Sequence, residues 1–299
     1  ATVPREPDSD PRIKVLLMGI LGSIGMGLML ALALDRFDRH VRYPEEVTYH
    51  MGLPILGVLP QIHLSEGAVE SDELSQILES LRSIRLNLLH AYGAGPMVLT
   101  VSSPGSGEGK SFVVSNLALA FADQGYRTLV VDGDIRRGTI HHLLKLERKP
   151  GLTDLLEGAV VQEDVIRHTA HERLDCVPSG TRMRNGPELL GSSAMRQFIA
   201  RLRNEYDIIL VDSPPLAAGV DPFVLATVTA NLLLVMRTGR TERAVAHTHL
   251  DNLTRITTRV LGVVLNGISE GAVYRYYRYL PGYDSGEEEV PVKQLQSAG

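Results

Sequence analysis

The chain has 299 residues, of which 44% are hydrophobic and 22% are charged, which is the composition of an ordinary globular protein. Its formal net charge of −5 comes without a basic stripe, so the sequence gives no electrostatic basis for binding nucleic acid. The single cysteine, Cys176, excludes an internal disulfide bond and a four-cysteine metal site.

The N-terminal part of the chain contains a long apolar segment. Residues 1–12 form an extended, proline-containing stretch, and residues 13–34 are predicted to form a transmembrane helix. About twenty apolar residues at a rise of ~1.5 Å would cover the ~30 Å hydrocarbon core of a bilayer. A cleavable signal peptide is the alternative, but cleavage would export the nucleotide site described below. Residues 35–70 are predicted to be a juxtamembrane linker.

From residue 71 onward the pattern alternates between helices and strands. Apolar positions at helical spacing predict helices at 71–92, 110–123, 193–205 and 242–256. Short apolar runs typical of buried strands occur at 97–102, 128–132, 174–178, 208–212, 231–236 and 260–265. We therefore predict an α/β domain over 71–268, with a mostly parallel sheet covered by helices on both faces, and a flexible tail over 269–299.

The segment between the first of these strands and the next helix has the sequence of a P-loop. Its backbone N–H groups and the N-terminus of the helix can cradle phosphates, and its glycines permit the tight turn. Lys110 is expected to reach the β- and γ-phosphates of ATP, and the Ser111 hydroxyl is expected to bind Mg²⁺. The predicted ATP-binding residues here are Gly105, Ser106, Gly107, Glu108, Gly109, Lys110, Ser111 and Phe112.

Acidic residues stand at the ends of two other predicted strands. Asp132 and Asp134 follow one strand, and Asp212 closes another. Because ligands of open α/β sheets bind beyond the carboxyl ends of the strands, we expect these acids to lie near the phosphates. Ser111, Asp134 and Asp212 would then supply the oxygen ligands that Mg²⁺ prefers.

Two further polar residues have two interpretations each. Asn266 ends the last predicted strand, where it either contacts the base of ATP or turns the chain before Gly267. Arg136 either contacts the transferred phosphate or forms an ion pair with a nearby acid.

These motifs resemble those of the MinD/ParA-like branch of P-loop ATPases. Within that branch they resemble the bacterial tyrosine kinases of capsule and exopolysaccharide export. Asp132-Gly-Asp134-Ile-Arg136 is similar to the Walker A′ motif of these kinases, and Asp212-Ser-Pro-Pro is similar to their Walker B ending. A third similarity is to their subunit-contact motif, on the helix before the P-loop, at Glu79, Arg82 and Arg85. The alternative is that these three residues form a solvated charged stripe.

The C-terminal part of the chain contains a dense tyrosine cluster. In the family, such a cluster is the autophosphorylation substrate and is presented to the active site of a neighbouring subunit. The alternative is an aromatic and basic tail that packs on a membrane or a partner. The implied phosphoacceptors are Tyr274, Tyr276, Tyr277, Tyr279 and Tyr283.

The resemblance implies an ATP- and Mg²⁺-dependent tyrosine autokinase that acts in trans. Asp132 would accept the tyrosine proton and Asp134 would support the metal, although the two could exchange roles. The resemblance further implies a homo-oligomeric ring at the bacterial inner membrane, with the kinase domain in the cytoplasm. Its partners would be the polysaccharide polymerisation and export machinery and a cognate tyrosine phosphatase. We expect the chain to be the C-terminal portion of a longer protein.

Two other functions fit the same motifs. One is a partition- or positioning-type ATPase that uses ATP hydrolysis as a dimerisation switch. The other is a nucleotide-binding scaffold of polysaccharide export that has no kinase activity.

Overall fold

The structure is a computed structural model that describes residues 11–61, 71–183 and 186–269. By its internal contacts the chain divides into two units, residues 1–39 and 40–299. The tyrosine cluster at 274–283 lies outside the described residues.

The first unit contains one helix, α1, over Pro11–Phe37. Many of its apolar side chains are exposed, among them those of Leu16 and Met29. Among the residues that the structure describes, no helix is both long enough and apolar enough to cross a membrane. The transmembrane helix predicted over 13–34 is therefore not supported.

The second unit is built on an eight-stranded sheet in the order β1-β8-β7-β2-β6-β3-β5-β4. All neighbouring strands are parallel except β4, which runs antiparallel to β5. This confirms the predicted fold class. The strands are β1 Ile55–Pro60, β2 Met97–Ser102, β3 Thr128–Asp132, β4 Arg167–His168, β5 Leu174–Val177, β6 Ile208–Asp212, β7 Asn231–Arg237 and β8 Arg259–Ile268.

Helices connect the strands and cover the sheet. Besides α1 they are α2 Ser71–Tyr92, α3 Lys110–Ala122, α4 Ile140–Leu143, α5 Leu152–Leu156, α6 Gln162–Val165, α7 Gly186–Leu190, α8 Ser193–Leu202, α9 Asp221–Thr229 and α10 Arg243–Leu253. A π-helical turn, Glu46–His50, and a 3₁₀ turn, Leu216–Ala218, complete the described elements.

The hydrophobic core lies on both faces of the sheet, as β2 illustrates. Every residue of β2 is buried, because its side chains alternate between the two faces. Leu99 packs in the cluster that contains Phe121 of α3, whereas Val98 packs in the cluster that contains Phe198 of α8. Burial on both sides explains why the strands appear in the sequence as continuous apolar runs.

The strand β1 differs from the sequence expectation, which places residues 35–70 in a linker. Residues 55–60 instead extend the sheet by pairing in parallel with β8, with Val58 opposite Leu265. Gly57 lies so close to Ile84 of α2 that a β-carbon would collide with that side chain. Close backbone approach at this glycine therefore allows α2 to pack on the edge of the sheet.

Candidate nucleotide-binding and phosphoryl-transfer site

The site lies where three central strands end. In the sheet, β6 lies between β2 and β3, and Asp212 is in register with both Val101 and Asp132. Because all three strands are parallel, their carboxyl ends meet at the same edge. This register brings Asp212 and Asp132 side by side, directly below the P-loop that follows β2.

The P-loop between β2 and α3 has the backbone conformation that its glycines permit. Gly107 and Gly109 have φ values of +76° and +89°, in the left-handed region. The Asn266 side-chain amide donates to the Glu108 carbonyl at 2.9 Å, and a β-carbon on Gly109 would collide with this amide. Asn266 thus holds the loop just before α3 begins at Lys110.

Lys110 is surrounded by acids. Its Nζ lies 3.3 Å and 3.4 Å from the two carboxylate oxygens of Asp212, 3.8 Å from Asp134 Oδ2 and 3.1 Å from Ser111 Oγ. The Ser111 hydroxyl in turn donates to Asp212 Oδ2 at 2.6 Å. The lysine therefore compensates buried carboxylates, which would otherwise be strongly destabilising.

Asp132 is fully buried next to this group and is only partly satisfied. Its Oδ2 accepts the backbone N–H of Ile140 at 3.3 Å, whereas Oδ1 has no hydrogen-bond partner among the described residues. Burial raises the pKa of Asp132 well above its usual range, and the negative charges of Asp212 and Asp134 raise it further. Burial also raises the pKa of Asp212, although Lys110 opposes this effect.

The donor set fits a magnesium ion that is shared with phosphate oxygens. Among the described residues, no three His, Cys, Asp or Glu side chains form a metal site of their own. Ser111, Asp134 and Asp212 nevertheless bring one hydroxyl and two carboxylates together around Lys110, and Mg²⁺ favours such oxygens alongside water and phosphate. The unpartnered Asp132 oxygen and its raised pKa indicate more negative charge than Lys110 can balance.

Glu108 is an acid buried inside the P-loop itself. Its Oε1 accepts the Gly105 N–H at 3.0 Å, and Oε2 has no hydrogen-bond partner among the described residues. Burial raises the pKa of Glu108 to about 7. The Arg240 guanidinium lies 2.6 Å from where a β-carbon on Gly107 would be, so this arginine covers the loop from outside. No spacing in the sequence links Arg240 to the P-loop, and the sequence motifs do not identify it.

The remaining predicted ATP-binding residues lie where the motif places them. Ser106 is exposed on the loop, and Phe112 is half-buried in the first turn of α3, against the core. Arg136 forms an ion pair through its Nε, at 2.8 Å, with the buried carboxylate of Asp221 at the start of α9. Of its two interpretations, the ion pair is the one that the structure contains.

The three residues of the predicted subunit-contact motif do not share one environment. Glu79 and Arg82 form an exposed ion pair with an N–O distance of 3.2 Å. Arg85 is only 7% exposed, and its Nη1 donates to the Ala120 carbonyl in the last turn of α3 at 2.7 Å. A cation at a helix C-terminus is favourable. Arg85 therefore stabilises the packing of α2 on α3 within the same chain.

Comparisons with known proteins agree with this geometry. A family model described as an AAA domain matches residues 97–257. The putative tyrosine-protein kinase CapB of Staphylococcus aureus is 32% identical over 68% of this chain and 90% of its own length. The chain belongs to the bacterial tyrosine-protein kinase family. The putative tyrosine-protein kinase EpsB of Ralstonia solanacearum is 33% identical over 96% of the chain, which spans only 42% of EpsB.

Solved structures of the family have the same fold. The kinase domain of the Escherichia coli tyrosine kinase ETK superposes with a TM-score of 0.72 at 26% identity, over 77% of this chain and 96% of that domain. The septum site-determining protein MinD of Pyrococcus horikoshii has a TM-score of 0.51 at 23% identity, over 60% of this chain and 76% of MinD, which shows likeness of fold alone. Membership of the kinase family and the MinD-like fold confirm the family that the sequence motifs indicate.

Proposed function

We propose that this chain is an ATP-dependent tyrosine kinase that phosphorylates the tyrosine cluster at 274–283 on a neighbouring copy. The observation that carries the proposal is the placement of Lys110, Ser111 and Asp212 in mutual contact, with the buried, partly unsatisfied Asp132 beside them. Lys110, Ser111 and Asp212 are suited to binding a triphosphate with its metal ion. Asp132 is suited to accepting a proton. Family membership supports the same activity.

Binding of ATP would use the P-loop and would reorganise the charges around Lys110. The N–H groups of the loop and of the N-terminus of α3 would donate hydrogen bonds to the phosphates. The Lys110 ammonium would turn from the carboxylates toward the β- and γ-phosphates. Asn266 steadies the loop, and its amide would contact the base. Magnesium, held by Ser111, Asp212 and Asp134, would supply the positive charge that the carboxylates and the triphosphate share.

The transfer itself moves one proton and one phosphoryl group. The tyrosine Oη forms a bond to the γ-phosphorus while the bond from that phosphorus to the bridging oxygen of ADP breaks. The phenolic proton goes to Asp132, and ADP leaves. Burial and the neighbouring acids raise the pKa of Asp132, which makes transfer of a phenolic proton less unfavourable than it would be to an ordinary carboxylate.

We further propose that transfer in trans within a ring controls the assembly of a polysaccharide export complex. The exposed Glu79–Arg82 pair is available to a neighbouring subunit, whereas Arg85 is occupied within its own chain. Each phosphate would add about −1.5 to −2 charge to an already acidic tail. Repulsion between the tails would loosen the ring until a phosphatase removes the phosphates. Because ATP is cytosolic, we place the domain on the cytoplasmic side of the bacterial inner membrane.

The test is incubation of the chain with ATP and Mg²⁺, followed by mass-spectrometric mapping of phosphate on residues 274–283. We expect phosphotyrosine in the cluster and a loss of at least about a hundredfold in the Lys110→Met variant, which lacks the phosphate-binding ammonium. Lys149→Met is the matched control, because Lys149 is exposed and lies in the segment between α4 and α5, outside the P-loop.

Three outcomes separate the alternatives. Phosphotyrosine that depends on Lys110 supports the kinase. Release of inorganic phosphate with an unlabelled tail would instead indicate a switch ATPase of the MinD type, to which the fold is also similar. Nucleotide binding without phosphotyrosine and without release of inorganic phosphate would indicate a scaffold that has no kinase activity.

A further inference from the structure

Two buried oxygens, Asp132 Oδ1 and Ser179 Oγ, lie where β3 and β5 end. The proposed transfer gives a role to Asp132 but none to Ser179. A β-carbon on Gly138 would be 2.5 Å from Ser179 Oγ and 2.7 Å from Asp132 Oδ1, so both atoms face the same small region. Both residues are fully buried, and neither oxygen has a hydrogen-bond partner among the described residues. Buried polar atoms without partners are costly, so these two oxygens mark a place that suits a further polar group.

Two arginines border this region. Arg148 donates from Nε to the Gly180 carbonyl at 2.8 Å and from Nη2 to the Ile135 carbonyl at 3.3 Å, so it joins the segments that follow β5 and β3. Arg182 lies in the same segment after β5 and is exposed. Within the described residues, neither guanidinium has a carboxylate partner at salt-bridge distance.

The Gly180 carbonyl that Arg148 binds lies two residues before Arg182, so both cations belong to the same end of the sheet. Burial lowers the pKa of Arg148, and the charge of Arg182 lowers it further, whereas Asp132 and Asp134 oppose the shift. Two guanidinium groups without carboxylate partners suit an anion: the exposed Arg182 can bind a carboxylate through two parallel N–H bonds, and Arg148 offers its Nη1, which donates to neither backbone carbonyl. We call Ser179, Arg148 and Arg182 the acceptor patch.

We propose that the acceptor patch binds the acidic flank of an incoming tyrosine, and that it thereby directs phosphorylation to Tyr283. This inference rests on the kinase function proposed above. Arg148 and Arg182 would hold the flanking carboxylates, while Ser179 Oγ hydrogen-bonds the tyrosine Oη.

The sequence of the tail supplies the complementary chemistry for one tyrosine in particular. Asp284 follows Tyr283 directly, and three glutamates follow at 287–289. The other four cluster tyrosines are interspersed with Arg275 and Arg278, which the two arginines of the acceptor patch would repel. Charge therefore distinguishes Tyr283 from the rest of the cluster.

The experiment uses two full chains. The kinase chain has its five cluster tyrosines replaced by Phe, and the acceptor chain carries Lys110→Met, so that only transfer between chains is observed. The measurement is the ratio of the initial rates of labelling at Tyr283 and Tyr274 in the presence of ATP and Mg²⁺. A loss of folding or of ring assembly lowers both rates together and leaves this ratio unchanged.

We expect Tyr283 to be labelled fastest. Arg182→Glu in the kinase chain should lower the ratio about tenfold, because it turns an attraction into a repulsion at a partly exposed site. An acceptor chain that carries Asp284→Lys, Glu287→Lys, Glu288→Lys and Glu289→Lys should restore the ratio when the kinase chain carries Arg182→Glu. Ser179→Ala should raise the KM for the acceptor and leave the KM for ATP unchanged, without lowering Tm, since the hydroxyl that it removes has no partner.

Arg201→Glu is the matched control. Arg201 is exposed on α8, whose C-terminal end leads into the start of β6 and thus lies at the opposite edge of the sheet. Equal ratios for Arg182→Glu and Arg201→Glu, or a ratio that does not respond to the charge of the tail, would overturn the acceptor patch while leaving the kinase function in place. Absence of phosphotyrosine from all acceptors would refute the proposed function and this inference with it.

Discussion

Glu108, the carboxyl group inside the P-loop, offers a direct test of how burial sets charge at this site. The residue is only 2% exposed, and burial raises its pKa from 4.5 to about 7. The Thr241 hydroxyl, the Gly105 N–H and the charge of Arg240 oppose this rise without cancelling it. Glu108→Gln keeps the shape of the side chain and an oxygen that can accept the Gly105 N–H, but it removes the ionisable group.

The direction of the effect follows from the linkage between proton binding and folding. An acid with a raised pKa in the folded chain holds its proton more tightly there than in the unfolded chain, so ionisation destabilises the fold. The contribution of Glu108 is favourable below about pH 4.5 and is lost as the pH rises through about 7. At ~1.36 kcal/mol per pH unit, a rise from 4.5 to about 7 corresponds to roughly 3 kcal/mol.

We therefore expect the free energy of unfolding of Glu108→Gln to exceed that of the wild type by roughly 3 kcal/mol at about pH 8, and by little near pH 4.5. The measurement is urea denaturation of the nucleotide-free chain followed by circular dichroism at several pH values. Glu163→Gln, on the exposed surface of α6, controls for the loss of one negative charge. A difference between Glu108→Gln and the wild type that does not change with pH would refute the assigned cause.

Two further substitutions test the packing around the site. Arg85→Ala should lower the free energy of unfolding by about 1.5–3 kcal/mol, because a charged hydrogen bond to the Ala120 carbonyl is lost, whereas the exposed Arg82→Ala should cost less than about 1 kcal/mol. Equal effects in thermal unfolding would argue against an internal role for Arg85. Gly109→Ala should weaken ATP binding at least tenfold in calorimetry, since it adds ~1–3 kcal/mol of backbone strain and collides with Asn266. Unchanged affinity would mean that the loop tolerates another path.

The central strands could be predicted because each is a short apolar run bounded by polar residues. Strand β2 is predicted at 97–102 and observed at Met97–Ser102. Because the strand is buried on both faces, its sequence is a continuous apolar run that can be recognised locally. Strand β1 is equally apolar, but its assignment depends on pairing with β8, some two hundred residues later in the chain. Local sequence carries no information on such a distant partner, and for the same reason the two-residue strand β4 is not apparent.

The candidate site shows the same division between local and distant information. The P-loop and the positions of Asp132 and Asp212 follow from motifs that fold locally. Each step of three residues keeps two side chains near the same face of a helix. Two such steps, from Glu79 to Arg85, turn the helix by about 120°, and this rotation moves Arg85 to the buried face of α2. Its bond to α3 depends on how two helices pack and could not be read from either helix alone.

The charge balance of the site explains why its parts must act together. Lys110 is the cation that touches Asp212 and Asp134 in the nucleotide-free chain, and the same ammonium is the group expected to reach the phosphates of ATP. It cannot satisfy both sets of anions at once. When it turns toward a nucleotide, Asp134 and Asp212 lose their counter-charge inside a buried site, where an unpaired carboxylate costs several kcal/mol. Nucleotide binding is therefore more favourable when a divalent cation or a proton takes the place of the ammonium, so the affinity for ATP is coupled to the charge balance around Asp212.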